Sequence, residues 1–324
     1  MEPIRVALLG FGTVGQGVYD HIEKEQQSLA QTLNRPVQVT AVLVNDESKH
    51  RDVANHVLLT TNIDDVLAQP IDIVVEAITG VESAYQYVTE AIEQGCHVVT
   101  ANKAMYAAKG GQLQDLAEEH RVNVKYDAAV AGGIPIIDTL NQIHQLESVH
   151  RIEAILNGTS NYILTAVAKE GLTFHEALTQ ATRLGYAEAD ASHDIDGFDA
   201  LNKAYILADL LRKDHQEITV IRRKGLDQLQ LDEVLNNPTN QVLKPIVTIN
   251  ATSESAIEVV IEPTWVDESH PLSSVDGVQN AIVISSDRLG SLKLEGAGAG
   301  EKPTAHAIVQ DIVKTVKEDS RILV

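Results

Sequence analysis

The chain has 324 residues, 44% of them hydrophobic, which is enough to form two globular cores. Its formal net charge of −21 disfavours nucleic acid and anionic membranes as partners, because binding to either requires a basic face. Cys96 is the single cysteine, so the chain cannot form an internal disulfide or a cysteine-based metal site.

The first predicted element is a buried parallel strand, Ile4–Leu9, formed by a short apolar run. A glycine-rich turn follows and opens a helix predicted over residues 14–30. The turn consists of Gly10, Phe11, Gly12, Thr13, Val14 and Gly15. Its G-x-G-x-x-G spacing between a strand and a helix is typical of a loop whose backbone amides face the pyrophosphate of a dinucleotide. We therefore expect these six residues to bind a dinucleotide cofactor.

Apolar strands alternate with helical segments over the first 130 residues. The further predicted strands are Val37–Val44, Ile71–Ile78, His97–Thr100 and Val122–Tyr126, with helices near 82–94 and 111–120. This alternation predicts a doubly wound parallel sheet of the Rossmann type, and hence a dinucleotide-binding domain over residues 1–130. Because a strand occupies the N-terminus and no apolar run approaches about 18 residues, we expect no membrane span and a cytoplasmic location.

Residues 131–300 show a different pattern, which predicts a mixed α+β domain. Helices are expected near 136–146, 160–170, 174–184 and 199–212, with a strand near 151–156. Thr173 and Glu176 have the spacing of a capping box at the start of the third helix. Alternating β-branched residues between 244 and 294 indicate strands, and a last helix is expected near 304–317.

The acidic stretch between Gly185 and Lys203 points to a polar binding site. Its five carboxylates are Glu188, Asp190, Asp194, Asp196 and Asp199. Asp199 and Lys203 are spaced i,i+4, so on a helix they lie on one face within ion-pair reach. The stretch is suited to bind an ammonium group beside a proton donor, and the alternative is a solvated acidic loop with an ordinary helix pair. Zinc is disfavoured, because no second histidine or cysteine stands at ligand spacing from His193.

Five blocks of the sequence, in this order, resemble the motifs of homoserine dehydrogenases. They are Thr100–Ala104, Val130–Ile137, Leu156–Ile163, Gly185–Lys203, and Gly298–Gly300 with Pro303–Ala305. The resemblance implies reversible reduction of L-aspartate 4-semialdehyde to L-homoserine by a reduced nicotinamide cofactor, on the route to threonine and methionine. It also implies that residues 131–300 bind the substrate and form a homodimer, and that residues 301–324 pack back on the cofactor domain.

The resemblance gives roles to individual residues. Lys203 corresponds to the lysine thought to be the proton donor, since an ammonium stabilises and protonates the alkoxide that forms when hydride reaches an aldehyde. Lys103 corresponds to a lysine between the nicotinamide and the substrate, which implies a second catalytic residue with contact and electrostatic roles. The implied substrate-binding residues are Glu188, Asp194, Asp199, Asn157, Gly158 and Thr159. The implied cofactor contacts beyond the glycine-rich turn are Asn45, Thr79, Thr100, Asn102, Lys103, Gly185 and Gly300.

Several of these roles have alternatives at the level of sequence. Thr159 or Ser160 could simply cap a helix. Lys103 could be a surface lysine at a helix start.

A monovalent cation, sodium or potassium, is also implied by the resemblance. Its ligands would be Asp127, Val130, Gly132 and Ile134. Asp127 stands where the family usually has a glutamate, which shortens this ligand by one methylene group. A hard cation could still be held by one carboxylate and backbone carbonyls.

The choice between NAD and NADP stays open. Asn45 stands where many relatives have an arginine that would hold the 2′-phosphate of NADP, and the adjacent Asp46 moves the balance toward NAD. Lys49 and Arg51 could still reach a phosphate.

Two other functions are compatible with parts of the sequence. One is a different amino-acid or sugar oxidoreductase with the same two-domain plan, which the Gly185–Lys203 stretch disfavours because it suits an amino-acid ammonium. The other is a catalytically silent nicotinamide-binding sensor, which the presence of both Lys103 and Lys203 disfavours because a sensor needs no proton donor.

Overall fold

The structure, a computed structural model, describes residues 2–49, 51–188, 190–213, 216–229, 240–251 and 255–319. The chain divides into two compact units. The first unit runs from Met1 to Gly133 and includes the segment that begins at Gly300, and the second runs from Ile134 to Ala299. The last five residues of the predicted C-terminal segment, 320–324, lie outside the described residues.

A parallel sheet forms the centre of the first unit, which confirms the predicted Rossmann-type architecture. Its strands are β1 (Ile4–Leu9), β2 (Val37–Leu43), β3 (Leu58–Thr60), β4 (Ile73–Glu76), β5 (His97–Thr100) and β6 (Val124–Lys125). They lie in the order β3-β2-β1-β4-β5-β6. Strands β4 and β5 are buried along their whole length, as expected for strands covered on both faces. Strand β3 is only three residues long and was not predicted.

Helices connect these strands and cover the sheet. They are α1 (Thr13–Lys24), α2 (Gln26–Leu33), α3 (Ile63–Leu67), α4 (Glu82–Glu93), α5 (Lys103–His120) and α6 (Ala128–Ala131). The helix predicted over 14–30 is two helices that meet at Glu25. Helix α5 starts at Lys103 and not near 111, because the side chain of Asn102 accepts the backbone N–H of Met105 and caps the helix there.

A helix from the far end of the chain completes the core of the first unit. This helix, α12 (Glu301–Glu318), packs along α1. Its residues Ile308, Ile312 and Val316 are fully buried and join the cluster that covers β1 and β2. The expected return of the C-terminal helix to the first unit is therefore confirmed.

The second unit is built on a mixed sheet, as the sequence predicted. Its strands are β7 (Val149–Ile155), β8 (Glu217–Arg223), β9 (Gln241–Asn250), β10 (Ala256–Asp267), β11 (Gln279–Ser286) and β12 (Gly290–Ala297). Their order is β12-β11-β7-β9-β10-β8. Neighbours pair antiparallel except β8 and β10, which are parallel. Strand β8 was not predicted, and most of its residues are exposed or half-buried at one edge of the sheet.

Among the described residues, the α-helices of the second unit lie between β7 and β8, apart from the one that precedes β7. They are α7 (Ile136–His144), α8 (Gly158–Glu170), α9 (Phe174–Arg183), α10 (Ser192–Ile195) and α11 (Phe198–Leu211). The capping box at the start of α9 is confirmed: Thr173 accepts the N–H of Glu176, and the Glu176 carboxylate accepts the N–H of Thr173. The short α10 was not predicted. Across the part of the chain that the structure describes, none of the helices has the length and apolarity needed to cross a bilayer.

The C-terminal end of α12 is held to the sheet by a buried histidine. His97 Nδ1 accepts the backbone N–H of Asn123, so the ring proton lies on Nε2 and is donated to the Asp319 carboxylate at 2.7 Å. Both side chains are nearly inaccessible to solvent. A neighbouring pair, Lys125 with Glu318, has the same separation of 2.7 Å but is solvent-exposed.

Asp319→Ala should lower the free energy of unfolding of the first unit by about 1–3 kcal/mol, because the buried N–H of His97 loses its acceptor. Chemical denaturation followed by circular dichroism measures this change. The matched control is Glu318→Ala, which removes the exposed pair and should cost less than about 1 kcal/mol. Equal losses in the two variants would show that the histidine contact does not anchor the helix.

Candidate active site

The glycine-rich turn between β1 and α1 has the close backbone packing that its spacing predicts. Gly10 has φ +100°, and a Cβ atom there would lie 2.7 Å from the carbonyl oxygen of Ala77. A Cβ atom at Gly15 would lie 2.1 Å from the carbonyl oxygen of Gly10. At Gly12 no atom lies within 4 Å of the Cβ position, so this side of the turn is open to an incoming group. The turn thus has room for a phosphate at its second glycine.

A cavity of about 840 Å³ opens where β1, β2 and β4 end. The residues predicted to bind the cofactor that line it are Gly10, Phe11, Gly12, Asn45 and Thr79. Thr13, Val14 and Gly15 form the first turn of α1 beside it. Gly300 is the N-cap residue of α12 in the first unit, and Gly185 belongs to the second unit.

The wall of the cavity after β2 carries Asp46 and Arg51, the charged residues that bear on the choice between NAD and NADP. Asp46 accepts two hydrogen bonds from Ser48, one from its N–H at 2.9 Å and one from its hydroxyl at 2.6 Å. These bonds hold the pKa of the Asp46 carboxyl below its usual range, so the group is ionised at neutral pH. The Arg51 guanidinium donates to the backbone carbonyls of Asp46 and Lys49, at 2.6 and 3.0 Å.

Thr100, Asn102 and Lys103 follow one another where β5 ends and α5 begins. The Thr100 hydroxyl donates to the carboxylate of Glu76 at 2.5 Å, and its oxygen accepts the N–H of Asn102 at 3.0 Å. Glu76 was not predicted as a site residue. It is fully buried at the end of β4, and burial raises its pKa against the opposing effect of its hydrogen-bond donors. Lys103, the first residue of α5, is half-buried.

In the second unit, Asp199 and Lys203 form the ion pair that their spacing predicts. Both lie on α11 and are buried, and Lys203 Nζ donates to the Asp199 carboxylate at 2.7 Å. The same ammonium donates to the backbone carbonyl of Leu156 at 2.8 Å. Among the described residues these two acceptors are its only hydrogen-bond partners, so one of its three N–H groups remains for another acceptor.

Asn157 forms hydrogen bonds to two carboxylates at this ion pair, those of Asp194 and Asp199. Its side-chain oxygen accepts the N–H of Ser160 and caps α8, so the alternative role of Thr159 or Ser160 as the helix cap is wrong. Its amide nitrogen donates to Asp194 at 2.8 Å and to Asp199 at 2.9 Å. Both N–H groups of the amide are therefore used within the protein.

The other predicted substrate residues differ in position. The Thr159 hydroxyl contacts the Tyr186 carbonyl at 2.7 Å and the Asp194 carboxylate at 3.1 Å. Gly158 packs close to the carbonyl oxygen of Val278. Glu188 is exposed and makes no hydrogen bond to the residues described, so the structure does not bring it to the cluster. Of the five carboxylates in the acidic stretch, only Asp194 and Asp199 meet at Asn157.

The predicted cation ligand Asp127 already has a cationic neighbour. Its carboxylate lies 3.3 Å from Lys314 Nζ, and its backbone N–H donates to the Asp311 carboxylate at 3.0 Å. Lys314 also contacts Asp311 at 3.1 Å. Burial raises the pKa of Asp311 to about 6. Val130 and Gly132 follow Asp127 in the first unit, whereas Ile134 belongs to the second.

Comparison with known proteins decides the family. A family model described as homoserine dehydrogenase matches residues 135–313, and one described as the homoserine dehydrogenase NAD-binding domain matches residues 10–127. The chain belongs to the homoserine dehydrogenase family. A homoserine dehydrogenase of Lactococcus lactis is 39% identical over 321 residues, which are 98% of this chain and 75% of that protein. One of Bacillus subtilis is 38% identical over 98% of this chain and 74% of its own length.

Solved structures of homoserine dehydrogenases have the same fold. That from Thiobacillus denitrificans has a TM-score of 0.87 and 36% identity, over 98% of this chain and 74% of that one. A hyperthermophilic archaeal homoserine dehydrogenase in complex with NADPH has a TM-score of 0.82 and 25% identity, over 98% of both chains. As a member of this family, the chain is an oxidoreductase with a nicotinamide-binding domain.

Gly15→Ala should weaken the binding of reduced nicotinamide cofactor by about tenfold or more, because the added methyl group displaces the Gly10 carbonyl and opens the turn. Titration of cofactor fluorescence measures the dissociation constant.

The control for this variant is Gly111→Ala in α5. No atom lies within 4 Å of its Cβ position, so cofactor affinity should stay unchanged. An unchanged affinity in Gly15→Ala would mean that the turn does not hold the cofactor.

Proposed function

We propose that this chain catalyses the reversible, nicotinamide-dependent reduction of L-aspartate 4-semialdehyde to L-homoserine. The observation that carries the proposal is the ammonium of Lys203, buried beside Asp199 with one N–H group left for a further acceptor. Reduction of an aldehyde requires a group that can protonate the carbonyl oxygen, and the Lys203 ammonium is suited to this role.

Lys203 supplies the proton of the reaction in this proposal. The reduced nicotinamide, when bound, provides the hydride for the aldehyde carbon. As the carbonyl π electrons move to oxygen, the free N–H of Lys203 stabilises the developing alkoxide and then transfers its proton to it. Asp199 orients the ammonium through the 2.7 Å contact. In the reverse direction the neutral amine accepts the proton of the homoserine hydroxyl.

Binding of the amino-acid end of the substrate is assigned to the acidic stretch and to the start of α8. An ammonium pairs well with carboxylates, and Asp194 lies at the Asn157 cluster where such a group could be held. Glu188 is kept as a substrate residue on the family resemblance alone. The backbone amide of Gly158 is the proposed partner of the substrate carboxylate. Thr159 is kept as a substrate residue on the family resemblance alone, since its hydroxyl already contacts the Tyr186 carbonyl and the Asp194 carboxylate.

Each unit has one task in this proposal. The first binds the cofactor through the glycine-rich turn, Thr79, Thr100, Asn102 and Lys103. The second binds the substrate and forms a homodimer. We place the enzyme in the cytoplasm, in the biosynthesis of threonine and methionine.

The sodium or potassium ion that the family resemblance implies is poorly compatible with the contacts that Asp127 already makes. A monovalent ion at Asp127 would share the carboxylate with the Lys314 ammonium, 3.3 Å away, and the two positive charges would repel each other. The proposed mechanism therefore includes no step through sodium or potassium.

Lys203→Met should lower the rate of homoserine-dependent cofactor reduction by about 10²–10⁴-fold, because the alkoxide loses its proton donor. Absorbance of the reduced nicotinamide, with NAD and NADP in parallel, gives the rate, and cofactor affinity should not change. Exposed Lys213→Met is the control and should retain full activity. If the unmodified chain reduces neither cofactor with homoserine, the proposed reaction is wrong. If Lys203→Met keeps its turnover, only the assigned donor is wrong.

We further propose that NAD is the preferred cofactor. The ionised Asp46 lines the cavity and can accept the ribose hydroxyl groups of NAD, whereas it would repel a 2′-phosphate. Arg51 already donates to two backbone carbonyls of its own loop, so less of its guanidinium is left for a phosphate.

Asp46→Asn tests this preference, because asparagine keeps an oxygen for the Ser48 hydrogen bonds and removes only the charge. The ratio of kcat/KM for NADPH to that for NADH should rise about tenfold, as expected from the loss of one close charge repulsion. An unchanged ratio, or a strong preference of the unmodified enzyme for NADPH, would contradict the role of Asp46.

A further inference from the structure

A fully buried carboxylate joins the two loops that follow β4 and β5. Glu76 and Thr100 are register partners at the ends of these neighbouring parallel strands. One carboxylate oxygen of Glu76 accepts the Thr100 hydroxyl at 2.5 Å, and the other accepts the N–H of Ile78 at 2.8 Å. Among the described residues its hydrogen-bond donors are all neutral, so no ion pair explains why a carboxylate is buried here.

The two loops held by Glu76 are close to the places assigned to the cofactor. Ala77, Ile78 and Thr79 line the large cavity, although Glu76 itself does not. Asn102 donates to Glu76 at 3.4 Å and to the Gly80 carbonyl at 2.7 Å, while its oxygen caps α5. Lys103 begins that helix, so its backbone position depends on the same set of contacts.

The position in the sheet indicates which half of the cofactor is affected. The strand order β3-β2-β1-β4-β5-β6 reverses between β1 and β4, and a dinucleotide binds across such a switch point. The loop after β2 lies in one half with Asp46, and the loops after β4 and β5 lie in the other. In a dinucleotide-binding sheet these halves hold the two nucleotides separately.

We propose that Glu76 is a positioning residue for the nicotinamide half of the cofactor and for Lys103. Its carboxylate fixes the loop 77–80 and the segment 100–103 relative to each other, so that both present the same geometry to the ring. The inference deepens the proposed function, on which it rests for the identity of the cofactor.

The test compares a whole cofactor with one that lacks the nicotinamide. Calorimetric titration of NADH and of ADP-ribose, without homoserine, is carried out on Glu76→Gln and Thr100→Val. Thr100→Val removes the bond between Glu76 and the Thr100 hydroxyl, whereas Glu76→Gln leaves one acceptor oxygen for two donors, the Thr100 hydroxyl and the Ile78 N–H. We expect the dissociation constant of NADH to rise about tenfold in both, whereas that of ADP-ribose should change by less than about twofold.

Two controls separate positioning from general destabilisation. Exposed Glu118→Gln, on α5, should leave both affinities unchanged. The double variant Glu76→Gln/Thr100→Val should weaken NADH binding by less than the product of the two single effects, because both changes act on the contact between Glu76 and Thr100. Thr100→Ser, which keeps the hydroxyl group, should retain NADH affinity.

Two results would overturn the proposal. NADH and ADP-ribose affinities that fall together would indicate a general loss of structure, and an unchanged NADH affinity in Thr100→Val would show that the bond has no role in binding. If Glu76→Gln does not fold, Thr100→Val with its serine control gives the same decision. Because homoserine is absent, failure of the proposed reaction would not affect the result.

Discussion

The proposed chemistry depends on holding the Lys203 ammonium in place inside a buried cluster. A buried charge is stable only when its partners replace the water it has lost, and here Asp199 and the Leu156 carbonyl do so. Asp199 is in turn held by the Asn157 amide, which also holds Asp194. The position of α11 is thereby linked to the start of α8, and the Lys203 ammonium cannot move without breaking its two hydrogen bonds.

Each of the two units has an asparagine that connects a strand, the next helix and a buried carboxylate. In each, an asparagine follows a strand, caps the next helix with its oxygen, and donates from its nitrogen to buried carboxylates. Asn102 does this between β5 and α5, with Glu76 as its carboxylate, and Asn157 does it between β7 and α8. An amide suits this place because it can accept and donate at once without adding charge.

Local patterns in the sequence predicted the parts of the site that depend on neighbours along the chain. The glycine spacing of Gly10–Gly15, the capping box at Thr173 and the i,i+4 pair of α11 need no long-range information. Contacts between distant residues were not predictable. Glu76 on β4 contacts Thr100 on the neighbouring strand β5, and Lys314 contacts Asp127 over a separation of 187 residues. A single glutamate at the end of a strand has no spacing that distinguishes it from an exposed one.

Helix α12 comes late in the chain, and this affects how the chain folds during synthesis. The first unit needs Ile308, Ile312 and Val316 to complete its core, and these residues are synthesised after the whole second unit. The second unit is one continuous segment and can form as soon as it emerges. Until α12 has been synthesised and has emerged, the nascent sheet of the first unit exposes the apolar surface that α12 covers. Translation order thus makes the earliest-synthesised unit the last to complete its core.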